Sequence, residues 1–281
     1  MTAARPIGDL LREWRQRRRL SQLTLACDAE ISTRHLSFIE TGRSQPSRAM
    51  ILHLSEQLAI PMRDRNILLV AAGYAPIFPE RSLDDPALQS VRKAIDLVLE
   101  KQKPYPAFAL DRHWTIAASN GALPEVYVGV APHLMQPPIN ALRLTLHPDG
   151  LAPRIANLSE WRQHSLARLR RQIDVTADPV LLELLRELSQ YSGPGGKNHL
   201  AVPTEEPAVA IPFCIRTERG LLTFFTTTTM FGSPVDITLS ELAVECFYPA
   251  DAATAQIVRE TVAAENVSPS GKRSTIQSIA S

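Results

Sequence analysis

The chain has no hydrophobic run that approaches the roughly eighteen residues a membrane span needs, and its first residues carry no apolar signal core. These absences exclude a membrane partner and point to a chain that stays in the cytoplasm. Cysteine is scarce: Cys27, Cys214 and Cys246 are far apart, odd in number and without a CxxC pair. That pattern excludes a disulfide framework and suggests reduced thiols. The seven histidines, at 35, 53, 113, 133, 147, 164 and 199, form no HExxH and no His-x-His pair. No metal site, catalytic residue or cofactor is therefore expected. The GPGGK run of residues 193 to 197 lacks the GxxxxGK[ST] spacing and follows a helical pattern instead of a strand, so it is read as a loop.

Charge is balanced overall but not locally. The 281 residues hold 30 Lys+Arg against 29 Asp+Glu, yet residues 1 to 75 contain 11 Arg and 7 acids, a net +4, which leaves the remainder at −3. Arg12, Arg15, Arg17, Arg18 and Arg19 crowd the end of a first helical pattern. Such a cluster is either a solvated helix end or a grip on phosphates that adds salt-dependent affinity. The length is enough for two domains, each with its own core.

The stretch from Ser21 to Gly42 is the most informative. Ser21 can cap a helix that buries Leu25 and Ala26, and Ser32 can cap a second with Leu36 and Ile39 at core spacing. So few residues lie between them that the two helices must cross steeply. The second helix then presents Thr33, Arg34, Ser37 and Phe38 outward. Gly42 stops it, and Pro46-Ser47 opens another helix with Met50, Leu54 and Leu58 inward. With Ile7 to Arg18 before and Arg63 to Ala72 after, five helices are predicted.

Ser21-Gln22, Leu25-Ala26, Ser32, Ile39-Glu40, Gly42 and Pro46-Ser47 together resemble the phage-repressor or xenobiotic-response-element type of helix-turn-helix regulator. The resemblance implies contact with a double-stranded DNA operator. By position it implies base-facing roles for Thr33, Arg34 and Phe38, and positioning roles for Gln22 and Arg43. Ser32, His35 and Ser37 lie on the same helix and join the candidate DNA-binding set, as does Arg18 from the cluster. A homodimer is expected, because one such motif reads only a few base pairs. Glu30 departs from the family, which usually has Gly at the turn. Left-handed backbone there costs a non-Gly residue about 1 kcal/mol, so a slightly altered turn is expected.

Residues 75 to 86 hold three prolines and no helical period, marking a linker. A helix over Pro86 to Lys101 follows, either a dimer strut or a helix packed on the second domain. Strands are predicted at Phe108 to Leu110 and Thr115 to Ala118, helices at Leu158 to Ile173 and Pro179 to Tyr191, and strands at Val209 to Thr217, Leu221 to Thr229 and Leu242 to Tyr248. Five strands in that order allow one antiparallel sheet with the helices between its second and third strands. The fold class is thus multidomain: an all-α five-helix domain (1–75), a linker and connecting helix (76–103), an α+β domain (104–265) and a polar, disordered tail (266–281).

In that second domain, DRHW at 111–114 followed by Asn120, TLHPDGLAPRIANLSEW at 145–161, ARLRRQ at 167–172 and DPVLLELLRELSQYS at 178–192 resemble the MmyB-like ligand-binding domain, a PAS-like fold. Ser119 stands where that family commonly has Trp, and residues 193 to 207 are only loosely similar. The resemblance implies a small apolar ligand, such as one with an acyl chain, held between sheet and helices. Phe108, Trp114, Phe213, Leu222 and Phe225 are the candidates to line its pocket, the alternative being that they fill the core. Arg154 or Arg162 could pair with a ligand carboxylate, against a plain surface role.

Overall fold

The computed structural model describes residues 5–191 and 210–267. The loop expected at 193–196 and most of the tail expected from 266 lie outside those residues. Two compact units emerge: Met1–Arg81 with Gln172–Ala177 and Pro234–Ser240, and the rest of the chain.

The first unit is built on five helices, α1 (Ile7–Arg17), α2 (Gln22–Asp28), α3 (Thr33–Glu40), α4 (Arg48–Gln57) and α5 (Met62–Ala71). Three serines start three of them. Ser21, Ser32 and Ser47 accept from the backbone N–H of Thr24, His35 and Met50, so each first turn has one of its orphan donors satisfied. Leu11, Trp14, Leu25, Leu36, Ile39, Leu54 and Leu58 meet in one core, as their helical spacing requires. Ile51 is fully buried there, whereas Met50 packs at its edge. α1 and α3 touch backbone to backbone: a Cβ on Gly8 would stand 2.5 Å from the carbonyl oxygen of Ile39, which no larger residue could occupy without moving a helix.

The α2–α3 turn is not altered as expected. Glu30 takes the left-handed conformation itself, at φ 52°, and the Ile31 N–H reaches back to the Ala26 carbonyl at 2.9 Å. The turn takes the left-handed form that a glycine would adopt freely, and Glu30 is strained into it. Glu30→Gly should therefore stabilise the first unit by up to about 0.5 kcal/mol, the relief of strain exceeding the added freedom of the unfolded chain. A denaturation midpoint lowered by the substitution would contradict this.

The second unit opens with a 3-10 turn at Pro86–Leu88 and α6 (Gln89–Gln102). Then come β1 (Ala107–Leu110), β2 (Ile116–Ser119), α7 (Ala141–Leu146), α8 (Leu158–Thr176) and α9 (Pro179–Gln190), followed by β3 (Phe213–Thr217) and β4 (Gly220–Met230). A short helix, α10 (Ile237–Ser240), which belongs to the first unit as do the last residues of α8 from Gln172, precedes β5 (Ala243–Pro249) and α11 (Ala252–Val267). The five strands form one antiparallel sheet in the order β2-β1-β5-β4-β3, with α7, α8 and α9 between β2 and β3 in the chain. Strand alternation gives the sheet two different faces. Ala107, Ala109, Val244 and Cys246 pack under Ile95 and Leu99, so α6 lies on the sheet. Their neighbours Phe108, Glu245 and Phe247 point to the other face, where the cavity is. α11 escaped the sequence reading although Asp251 caps it by accepting from the Thr254 N–H at 2.6 Å, and it includes the first two residues of the expected tail.

Candidate functional site

On the first unit, α3 carries the predicted set in an ordered arrangement. Arg34 is exposed, while Thr33, His35, Ser37 and Phe38 are half-buried along its surface. The guanidinium of Arg34 lies 5.2 Å from the Phe38 ring centroid, and that of exposed Arg43 lies 5.9 Å from the same ring. One aromatic thus holds two cations side by side, limiting their rotamers without neutralising them. Ser32 uses its hydroxyl as the cap of α3. Gln22 is tied inward, its amide donating to Glu40 Oε2 at 2.8 Å.

That Glu40 is the hub of the unit. Its carboxylate is wholly buried and takes a forked contact from Arg15, Nε to Oε1 at 2.6 Å and an Nη to Oε2 at 2.9 Å. Burial alone would raise its pKa, but the hydrogen bonds from Arg15 and Gln22 and the charges of Arg15 and Arg12 hold it below the usual carboxylate range. The pair joins α1 to the end of α3, and Gln22 adds the start of α2.

Four arginines of the cluster are engaged within the protein, and Arg19 is exposed. Arg15 is buried with Glu40, Arg12 donates to the Glu40 carbonyl at 2.7 Å, and Arg17 pairs with Glu13 at 2.5 Å. Arg18 stacks on Trp14 and donates to the carbonyls of Leu58 and Ala59 at 2.8 and 3.0 Å. Arg18 thus closes the C-terminal end of α4 from the side chain.

On the second unit, a cavity of about 70 Å³ opens between the sheet and the helices packed on its inner face. Phe108, Trp114 and Phe213 line it. Leu222 is fully buried on the same sheet face but stands outside the lining. Phe225 is a correction: it is 42% exposed beside Tyr248, and Phe224 takes the cavity position. Successive residues of a strand face opposite ways, and the run Leu221 to Phe225 has too little polar alternation to tell the faces apart.

Phe247 sits at the centre of the cavity wall, edge-on to Phe108, Phe213 and Phe224 at centroid distances of 5.8, 5.8 and 6.0 Å. Trp114 is held with φ at 67°, an uncommon conformation for a bulky residue, by a turn in which Asp111 Oδ1 accepts from the His113 and Thr115 N–H groups, both at 2.8 Å. Over its ring, 4.8 Å away, lies the guanidinium of Arg168, which pairs with Glu245 at 2.7 Å and donates to Thr228 at 3.1 Å. An ion pair thus stands in an otherwise largely apolar wall. Arg168 follows Trp161 by seven residues on α8 and so shares its face. Arg162 and Arg154 are engaged with backbone: Arg162 donates to the carbonyls of Leu188 and Tyr191 at 2.8 and 2.7 Å, and Arg154 donates to that of Val126.

The geometry defines a helix-turn-helix unit whose α3 surface carries Arg34 with Arg43 beside it, and an α+β unit with an internal cavity. Residues 6–65 match a family model described as a Helix-turn-helix domain, and residues 91–260 match the MmyB-like transcription regulator ligand binding domain. The second match covers more than half of the chain, which belongs to that family. Neither match is to an enzyme family. The Uncharacterized HTH-type transcriptional regulator RghRB of Bacillus subtilis (strain 168) is 40% identical over 76 residues, 27% of this chain and 52% of that protein. The match therefore spans about half the length of this curated relative. Among the described residues, no helix is long and apolar enough to cross a membrane, and no group of three His, Cys, Asp or Glu side chains could hold a metal ion.

Proposed function

We propose that the chain is a sequence-specific DNA-binding transcription regulator whose second unit responds to a small, largely apolar ligand. The observation that carries the first part is the exposed Arg34 and Arg43 pair on the Phe38 ring of a capped α3, since Arg is the side chain best shaped to grip a guanine edge or a phosphate from a helix. Pairing of two chains on a pseudo-palindromic operator follows from the small number of base pairs one such helix can read. The cavity supports the second part, but its size bears on the ligand. One buried water needs about 10–15 Å³, so about 70 Å³ seats a few waters or a small organic group. A long acyl chain would have to open it further.

The test is native mass spectrometry of the full chain purified without denaturation. A reproducible small molecule released on unfolding is expected. A second reading has the second unit only dimerise or bind a protein partner, and it draws on the half-exposed neighbours Phe225 and Tyr248. A ligand-free dimer that Phe225→Ser dissociates would favour that reading instead.

A further inference from the structure

One helix of the cavity wall presents polar groups in a row. Trp161, Ser165 and Arg168 stand at i, i+4 and i+7 on α8, and all three line the cavity. Trp161 is buried, and its indole N–H has no hydrogen-bond partner among the described residues. An indole nitrogen only donates, so whatever satisfies it must be an acceptor, and buried donors in native proteins are nearly always satisfied. Ser165, also buried, adds a hydroxyl. The guanidinium of Arg168 has five N–H groups, and Glu245 and Thr228 engage two of them. The row is therefore donor-rich.

Its net charge is a separate matter. Glu245 is 7% exposed and already neutralises Arg168 at 2.7 Å. An anionic head placed on this row would bring a second negative charge beside a buried carboxylate, which like-charge repulsion and desolvation both oppose. A neutral acceptor meets the same donors without that cost.

We infer that the cavity takes an uncharged ligand with an apolar body and a carbonyl-type head, an amide, ester or lactone, seated on Trp161, Ser165 and Arg168, in preference to a free carboxylate. The inference rests on the reading of the second unit as a ligand-binding domain.

The test titrates the full-length chain calorimetrically at pH 7.5 with hexanamide, hexanoate and toluene. Hexanamide should bind at least tenfold tighter than hexanoate. Trp161→Phe should weaken hexanamide about tenfold while changing toluene less than twofold, the retained toluene showing that the cavity is intact. Glu245→Gln should strengthen hexanoate at least tenfold by leaving the Arg168 charge without its counterion. Hexanoate binding as tightly as hexanamide to the wild type would overturn the inference, as would equal losses of hexanamide and toluene in Trp161→Phe. If Trp161→Phe abolishes toluene binding, the wild-type ratio and the Glu245→Gln result decide alone. If none of the three probes binds the wild type, the inference fails, while the ligand-binding reading stands or falls separately on whether native mass spectrometry of the full chain releases a small molecule.

Discussion

Glu40→Ala is expected to unfold the reading unit's α1–α3 packing, at a cost of about 3–5 kcal/mol. Set against a total stability of about 5–15 kcal/mol for a typical domain, that loss leaves little in reserve. The cause is a stranded charge. The carboxylate is wholly buried, and Arg15 is nearly so, with its Nε 2.6 Å from Glu40 Oε1. Removing the anion leaves a guanidinium in the core with one backbone acceptor, the Leu20 carbonyl at 2.8 Å. Arg12 and Gln22 lose an acceptor as well. Replacing both partners, Arg15→Met with Glu40→Leu, should recover at least about 2 kcal/mol of the loss, because no charge is then stranded. Hydrogen exchange of the α1 to α3 amides in the full chain reads this unit separately from the other. Protection in Glu40→Ala within about 1 kcal/mol of wild type would contradict the role given to the buried pair. The same carboxylate sets an acid limit. Its pKa is below its ordinary 4.5, so its contribution is complete above that pH and is lost as pH falls through the depressed folded value.

Arg34→Ala should relax sequence preference more than it weakens DNA binding in general. If the Arg34 fork reads a guanine edge, the operator loses about 1–3 kcal/mol while a scrambled duplex loses little. Arg43→Ala, at the same Phe38 ring, is expected to weaken both duplexes alike and to lower the salt slope, as a phosphate contact does. Fluorescence anisotropy titrations at two salt concentrations separate these outcomes. Equal weakening of both duplexes by Arg34→Ala would remove its reading role.

Much of the first unit was legible because its signals are local. Ser21, Ser32 and Ser47 announce helix starts, and leucines at i, i+3 and i+4 announce the buried faces. The Arg15–Glu40 pair was not legible, since its partners stand 25 residues apart and charged side chains are placed outward by default. The partners of Arg12, Arg15, Arg17 and Arg18 were hidden for the same reason: composition counts charges but does not show which carbonyls and carboxylates meet them. In the second unit the order of strands and helices suggested the sheet, and the sheet carried Phe108, Trp114 and Phe213 to the cavity. Phe224 and Phe225 were confused because adjacent phenylalanines in an apolar run leave the register open to a one-residue error. Arg168 could have been found, since its seven-residue spacing from Trp161 puts it on the inward face of α8. The Asp251 cap of α11 was likewise present and unread.

We propose that the α3 surface carrying Arg34 and Phe38 reads base sequence, with Arg43 positioning it on the phosphates. The most direct measurement selects duplexes from a random pool with the wild-type chain, then titrates the selected duplex against a scrambled one at physiological salt. The expected result is a selected sequence with two related half-sites, bound at least about a thousandfold tighter than the scrambled duplex. Equal affinity for the two, with no sequence enriched from the pool, would contradict it.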